Sequence, residues 1–476
     1  MTAVAGLIRG KLAAVLLGTA GVGVFGQVDS FYRSLVQICV LSTGVGVTRC
    51  VAELQAKGDE AGIRRAFWST TAFSITLSGI VAVLVLIFSK NLSRLVLGNE
   101  RYAFFLSIVA LGFPLQALSD IMLGMLVGLR DLRAQVLVTA AFTLGGATLF
   151  AILILRYRLA GAIYGIFAIC VCMCLAAILF LRKNRSGKLL PLPGESSFDL
   201  SLLRFIVAIG ITGGLMAVSD RVVLLTCRSV LIRHFGFEAN GLYQSVFSFS
   251  QLSIGVTSAF VGTYLLPTLS GLQNEERAHF EFSSVLRLTL LIATIFSVVM
   301  ILYGQFVIRA AYSSAFIGAA PLLRFQAAGD FVRTFVFILS TTIFALHGWK
   351  PWFAIGMSFY VGYLVLFFLL LPVFGLTAIT VAYLAAHCVS CALAVPLFAR
   401  YTKLSVLATQ GPLLLRSVAL LLFGSVLAWM GNAQVTYILG TTALLLWASF
   451  AFSTSEYRRI WGYASSQILL SGSSLR

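Results

Sequence analysis

Apolar runs of about 20 residues recur along the whole chain, and a run of that length lets an α-helix cross the hydrocarbon core of a bilayer. Short charged or turn-rich segments separate these runs. Hydrophobic residues make up 59% of the 476 residues and charged residues only 11%, whereas about a quarter of the residues in an ordinary soluble domain are charged. The composition excludes a soluble enzyme and leaves no room for a sizeable domain outside the membrane.

The runs predict an all-α polytopic membrane protein with about 14 transmembrane helices. The first two helices are expected near 3–27 and 34–52, and the seventh and eighth near 202–226 and 241–269. The predicted organisation is an N-terminal lobe at 1–181, a cytoplasmic linker at 182–201, a C-terminal lobe at 202–399, and two final helices with a cytoplasmic tail at 400–476.

An internal duplication relates the two predicted lobes. Residues 23–27 and the charged loop that follows their helix parallel residues 241–244 and their loop. Arg130 after the fourth helix matches Lys350 after the tenth at a similar offset. Two copies of six helices enter the membrane in the same sense, so we expect two parallel lobes around a central cleft. The alternative is that any two hydrophobic bundles look alike.

The distribution of basic residues predicts the orientation of the chain. Loops after even-numbered helices, with the C-terminal tail, hold 18 Lys and Arg, whereas loops after odd-numbered helices hold 9. Because cytoplasmic loops are enriched in Lys and Arg, both termini are predicted to be cytoplasmic.

Ionisable residues inside the predicted spans are the candidate functional residues, because each costs about 2.5 to 3.5 kcal/mol at the centre of a bilayer on insertion scales. The embedded bases are Arg9, Lys11, Arg49, Arg221, Arg324, Arg333 and Arg416. The embedded acids are Asp120, Asp220 and Asp330. The other 27 bases are assigned to loops or tails. Arg324 and Arg416 lie close to predicted helix ends, where a long side chain reaches water.

Arg9, Lys11 and Arg49 are predicted to form a basic cluster on the cytoplasmic side of the first lobe. Such a cluster suits a pyrophosphate group, because arginine supplies forked donors and lysine a point charge. The alternative is that Arg49 pairs with Glu53 at i+4, and that Arg9 and Lys11 mark the positive flank of the first helix.

The remaining embedded charges are expected near the cleft. Asp330 and Arg333 are spaced to pair with each other, whereas Asp220 and Arg221 are adjacent, about 100° apart on the helix, and are predicted not to face one another. Arg221 and Arg333 are therefore further candidates for substrate binding. Asp120, Asp220 and Asp330 are candidates for proton or sodium coupling, with a structural role as the alternative for Asp120.

The opening of the chain resembles that of the Wzx-type polysaccharide flippases. The resemblance rests on residues 10–18 (GKLAAVLLG), 21–27 (GVGVFGQ) and 51–53 (VAE). Residues 329–333 (GDFVR) are similar to a Gly-Asp-x-x-Lys/Arg segment of the same group. That group includes the O-antigen and lipid III flippases of the multidrug/oligosaccharidyl-lipid/polysaccharide (MOP) exporter superfamily.

The resemblance implies a carrier in the bacterial inner membrane that moves undecaprenyl-pyrophosphate-linked oligosaccharide between leaflets by alternating access, for surface polysaccharide synthesis. It places Lys11 and Arg49 at the family's basic positions, and Asp330 with Arg333 in the tenth-helix segment. Membrane lipids, a polysaccharide polymerase and a chain-length regulator are the implied partners. Nucleic acid is not expected to bind.

Two other functions compete with the flippase. A multidrug or organic-cation antiporter of the related MATE type predicts an acidic or aromatic cleft, which the excess of embedded bases opposes. A polytopic glycan polymerase or glycosyltransferase would place catalytic groups on a large outer loop, but the outer loops are short and their acids are Asp29, Glu100 and Glu238. The chain has no metal-spaced or nucleophile motif, so no catalytic residue, metal site or cofactor beyond H⁺ or Na⁺ is predicted.

Overall fold

In a computed structural model, helices account for almost all of the residues that the structure describes. The structure describes residues 2–183, 198–265, 268–269, 275–402 and 406–451. Most of the predicted linker (184–197) and the tail from 452 onward lie outside the described residues.

The helices of the first half of the chain are α1 (Thr2–Val40), α2 (Thr43–Ala56), α3 (Glu60–Ile87), α4 (Ser89–Leu97), α5 (Ala103–Ala110), α6 (Gly112–Gly128) and α7 (Leu132–Lys183). Those of the second half are α8 (Leu200–Phe260), α9 (Glu275–Leu302), α10 (Gly304–Ala311), α11 (Ala320–His347), α12 (Trp349–Phe374), α13 (Ala378–Thr402), α14 (Val406–Trp429) and α15 (Ala433–Ala451).

The described residues contain nine helical stretches long and apolar enough to cross a membrane, or ten if the bent stretch at 200–260 forms one span. Three of the nine are 47 to 54 residues long, more than twice the length of about 20 residues that one crossing needs. The all-α polytopic membrane fold is therefore confirmed. The number of crossings, about fourteen, stays a prediction because the long stretches bend.

Three of the long helices fold back at a single residue. The bends lie at Gly18 in α1, Arg158 in α7 and Gly236 in α8, where φ is 67°, 52° and 81°. In α7 a methyl group on Gly165 would lie 2.7 Å from the ring of Phe150, so the two halves of this helix pack side by side. Each bend therefore makes a tight hairpin of two helices.

Two predicted loops are helical in the structure. The sequence places loops at 28–33 and 227–240, because charged residues interrupt the apolar runs there. Both segments are helical, apart from the single bend residue Gly236. Hydropathy misplaces such boundaries because a helix accommodates charges wherever one of its faces is polar. Residues assigned to outer loops, among them Asp29, Arg33 and Arg228, therefore lie inside helices.

The backbone bears out the internal duplication. Among the described residues, six of the eleven with positive φ form three pairs at a nearly constant offset along the chain: Gly18 with Gly236, Arg130 with Gly348, and Arg158 with Gly375. The short helices α4 and α10 also hold equivalent places, after α3 and after α9. The two halves of the chain thus repeat the same order of helices and breaks.

The two repeats touch directly where the hairpins of α1 and α8 cross. A methyl group on Gly23 would lie 1.9 Å from the carbonyl oxygen of Phe237, and one on Gly241 would lie 1.9 Å from that of Thr19. Each contact mirrors the other, because Thr19 and Gly23 are the duplicated counterparts of Phe237 and Gly241. The amide of Asn240 also donates to the carbonyl of Gly23 at 2.7 Å. Only glycine allows two backbones to approach this closely.

The described residues pack into two compact units. The first comprises 1–252, 305–322 and 349–390, and the second comprises 253–304, 323–348 and 391–476. In the first unit α6 packs against α2, α3 and α7 around a core that includes Val47, Phe67 and Met125. The predicted lobe boundaries at 181 and 202 stay a prediction.

The two C-terminal helices dock on α9 within the second unit. Tyr303 stacks on Tyr437 with ring centroids 5.1 Å apart, and the guanidinium of Arg287 donates to the carbonyl of Ala451 at 2.7 Å. Both contacts join α15 to the region of α9: Tyr303 directly follows α9, Arg287 lies near its middle, and Tyr437 and Ala451 belong to α15.

We predict that Gly161→Ala destabilises the α7 hairpin. A methyl group at position 161 would lie 1.9 Å from the carbonyl oxygen of Leu153, and overpacking of this kind costs about 1 to 3 kcal/mol. Gly145→Ala is the matched control, since no atom lies within 4 Å of its methyl position. Unfolding in detergent micelles measures both variants. Equal stability of the two would contradict the tight hairpin.

We also predict that Asp199→Ala weakens the start of α8 in a pH-dependent way. Its carboxylate accepts from the Ser201 hydroxyl and from the backbone N–H of Leu202, and these bonds lower the pKa of Asp199 below its ordinary value. A lowered pKa stabilises the fold above the unfolded value, and the benefit is lost as the pH falls through the folded value. The variant should therefore melt at a lower temperature at pH 7. The difference should shrink in acid, and a pH-independent difference would contradict the prediction.

Candidate functional site

An ion pair between Asp29 and Arg33 lies in the middle of the second half of α1. The Arg33 Nε is 2.7 Å from the Asp29 carboxylate. The Arg33 side chain is 54% exposed and the Asp29 side chain 25%. Asp29 follows the bend at Gly18 by eleven residues, or about 16 Å along the helix. Because exposed charges at this depth are costly against acyl chains, the pair must face a polar space.

Arg228, from the first half of α8, extends this charged region. Its side chain is completely buried, and its Nη1 donates to the Ser30 hydroxyl at 2.9 Å and to the Gly26 carbonyl at 3.1 Å. The guanidinium lies 5.0 Å from the ring centroid of Tyr243 and 4.8 Å from that of Phe247, so aromatic faces stabilise its charge.

Two donors of Arg228 remain available. Its Nε and Nη2 are buried and have no hydrogen-bond partner among the described residues. An unpaired N–H in a buried guanidinium is unfavourable unless something else accepts it. These donors would suit an oxygen-rich anion, which reaches them only if the surrounding side chains move, because Arg228 has no exposed surface here.

Arg221 lies two turns before Arg228, on the same face of α8. The Ser34 hydroxyl on α1 donates to its carbonyl at 3.2 Å, and Asp29 and Arg221 are both charged neighbours of Arg228. The Arg221 Nε lies 3.8 Å from the carboxylate of Asp220. The prediction that these adjacent side chains could not face each other is wrong, because a long arginine side chain reaches back across the helix face.

Arg9 approaches the same region from the first half of α1. Asp29 and Arg33 are its charged neighbours, and its guanidinium lies 5.9 Å from the centroid of the Phe150 ring. We call Arg9, Arg33, Arg221 and Arg228 the arginine cluster. Asp29 and Asp220 neutralise two of these four charges, so the cluster keeps a positive surplus.

The structure does not bring Arg9, Lys11 and Arg49 together as predicted. Lys11 donates to the carbonyl of Ala310 at the end of α10. Arg49 pairs with Glu53 at 3.0 Å on an exposed face of α2, as the alternative interpretation held. Arg9 lies in the first half of α1, before the bend at Gly18, whereas Arg49 lies on the separate helix α2.

Asp120 belongs to a polar network inside the helix bundle of the first unit. The Gln116 amide donates to its carboxylate at 2.9 Å, and the Tyr32 hydroxyl reaches the Gln116 carbonyl oxygen at 3.4 Å. Tyr32 also meets the Cys170 sulfur at 2.8 Å. The carboxylate is thus held by a specific partner, which suits the structural role and leaves ion coupling a prediction.

Asp330 and Arg333 lie on α11 in the second unit, with Asp330 buried and Arg333 half-buried. Their pairing and their roles in the site stay predictions.

Sequence reasoning missed Asp29, Arg33 and Arg228 because it assigned them to loops. A usable signal was present: residues 28–33 contain neither glycine nor proline, so nothing there interrupts a helix. Gly18 and Gly236, which do form the bends, are separated by the same offset as Gly23 and Gly241 and so follow the duplication.

Two lipid III flippases are similar to this chain in sequence. The lipid III flippase of Escherichia coli (strain K12) is 24% identical over 392 residues, covering 81% of this chain and 92% of that protein. The lipid III flippase of Shigella flexneri matches to the same extent.

Solved transporters share the fold. The structure superimposes on an inward-facing multidrug resistance MATE family transporter of the MOP superfamily with a TM-score of 0.73, 16% identity, and coverage of 85% of this chain and 95% of that chain. It also superimposes on the lipid II flippase MurJ in an inward closed conformation with a TM-score of 0.73 and 12% identity, covering 94% and 96%.

A family model described as polysaccharide biosynthesis protein matches residues 16–321. This range is more than half of the chain and includes the bends, the Gly23 and Gly241 crossing and all of the arginine cluster except Arg9, so the protein is a member of the polysaccharide biosynthesis protein family.

Proposed function

We propose that the protein flips an undecaprenyl-pyrophosphate-linked oligosaccharide across the bacterial inner membrane by alternating access. The single observation that carries this proposal is the arginine cluster, with its positive surplus and the two unpaired donors of Arg228. A polar, anionic head group cannot cross hydrocarbon unaided. A cationic site at mid-span lowers that barrier while the polyprenyl tail stays in lipid.

The chemistry of the cluster matches a diphosphate. Arginine presents forked donors that bind phosphate oxygens bidentately, and the cluster offers four guanidinium groups from two hairpins. A diphosphate diester carries two negative charges, which equals the surplus left by Asp29 and Asp220. The similarity to lipid III flippases supports a lipid-linked glycan as the cargo.

Organic-cation antiport is the second candidate, because the MATE fold is shared. A cation would meet a net repulsive field at the arginine cluster. We therefore favour the anionic lipid. The similarity to transporters over most of the chain supports transport rather than catalysis.

We predict that Arg33→Gln and Arg221→Gln each weaken binding of undecaprenyl diphosphate by about tenfold to a hundredfold, since a hydrogen bond to a charged group contributes about 1.5 to 3 kcal/mol. Binding to the purified protein is measured by native mass spectrometry. Lys90→Gln, an exposed base on α4, is the matched control.

Wild-type affinity in both arginine variants would contradict the role of the cluster. Competition by tetraphenylphosphonium instead of inorganic pyrophosphate would favour the cation antiporter.

Asp120→Asn tests ion coupling. Asparagine keeps the shape and the contact with Gln116 but cannot exchange a proton or neutralise Na⁺. If Asp120 couples transport, an imposed H⁺ or Na⁺ gradient should stimulate flipping by the Asp120→Asn variant in proteoliposomes at least fivefold less than it stimulates flipping by the wild type. Glu53→Gln, which removes a carboxylate on an exposed face, is the control. Unchanged stimulation in Asp120→Asn would assign Asp120 a structural role.

A further inference from the structure

The short helices α4 and α10 occupy equivalent places in the two repeats, and each ends against a basic side chain. The Nη2 of Arg233 donates to the carbonyl of Leu95 in α4 at 2.6 Å. The ammonium of Lys11 donates to the carbonyl of Ala310 in α10. The two acceptors are equivalent, because Leu95 and Ala310 each occupy the seventh position of their helix.

Each of the two contacts joins one repeat to the other. Lys11 belongs to the first repeat and reaches α10 of the second, whereas Arg233 belongs to the second repeat and reaches α4 of the first. The last carbonyls of a helix lack partners within the helix and carry partial negative charge, so a cation placed there is favourable.

Both bases lie on the helix arm that leads into the bend of their own hairpin. Lys11 precedes the bend at Gly18 by seven residues, and Arg233 precedes the bend at Gly236 by three. A third contact joins α1 to both α4 and α8, because the Gln27 amide donates to the Val96 carbonyl at 3.1 Å and to the Ser229 hydroxyl at 2.9 Å. The end of the first unit that carries both bends therefore receives contacts from both repeats.

We propose that Lys11 and Arg233 are a matched pair of latches that hold this end closed, and that their release accompanies separation of the Gly23 and Gly241 crossing. Both side chains are exposed, and exposed charged contacts are weak enough to break reversibly. Lys11 then acts on the helix end of the opposite repeat rather than on phosphate. The use of the opening for cargo rests on the proposed function, but the latch itself does not.

The experiment measures access to the covered interior from each side of the membrane. Ser30, a partner of Arg228, is only 8% exposed, so Ser30→Cys provides a reporter beneath the crossing. Proteoliposomes without lipid-linked glycan are treated with an impermeant maleimide from one side at a time. Peptide mass spectrometry follows labelling at position 30. Native Cys50, 2% exposed within the helix bundle, reports any loss of fold.

In the reporter background we expect Lys11→Met and Arg233→Met each to raise the labelling rate about threefold, and the double variant to raise it at least tenfold. The increase should occur from one side only. Lys11→Arg and Arg233→Lys should label as slowly as the Ser30→Cys parent, because both keep the donor and the charge. Lys90→Met, on α4 itself, should match the parent.

Gly241→Leu supplies the positive control, since its side chain cannot fit against the Thr19 carbonyl and should open the same end. The proposal is overturned if the double variant labels like the parent, if Cys50 reacts as fast as position 30, or if Gly241→Leu leaves position 30 protected. Because no cargo is present, failure of the latch and failure of diphosphate binding at the arginine cluster are separate results.

Discussion

The backbone contact at Gly23 and Gly241 is the constraint on which the arrangement of the first unit depends. With a side chain at either position the α1 and α8 hairpins would have to move apart, because the space is taken by the carbonyls of Phe237 and Thr19. Their close approach is what lets Arg228 reach Gly26 and Ser30 across the interface. The position of the buried charge thus follows from the absence of two side chains.

The charges in this unit are better explained by function than by stability. Burying a guanidinium is costly, and a well-packed apolar residue is often at least as stable. Two aromatic faces and two acceptors compensate Arg228 only in part. Asp29 and Arg33 pair with each other, yet the Arg33 side chain remains 54% exposed. The unpaired donors of Arg228 are the groups that the proposed binding of an anion would use.

The sequence was sufficient for the features that depend on composition and periodicity. It predicted the all-α membrane fold, the duplication, and the pairing of Arg49 with Glu53 as an alternative. It was insufficient where one residue decides the geometry, since a hydropathy window averages over many residues and cannot see a bend at Gly18. Helix geometry alone opposes the predicted convergence of Arg9 and Lys11, because residues two apart on a helix point to nearly opposite sides. Partners across the hairpins, such as Ala310 for Lys11, depend on tertiary packing that local patterns do not encode.

The crossing also restricts how the two halves of the gene diverge. Most positions of a duplicated chain drift independently once the copies separate. Here the backbone carbonyl of each copy fills the space above the glycine of the other, so Gly23 and Gly241 are constrained together, whereas the side chains of Thr19 and Phe237 are free to differ and do differ. A larger residue on one side is tolerated only if the partner backbone retreats. This small patch is therefore where the ancestral symmetry of the protein should persist longest.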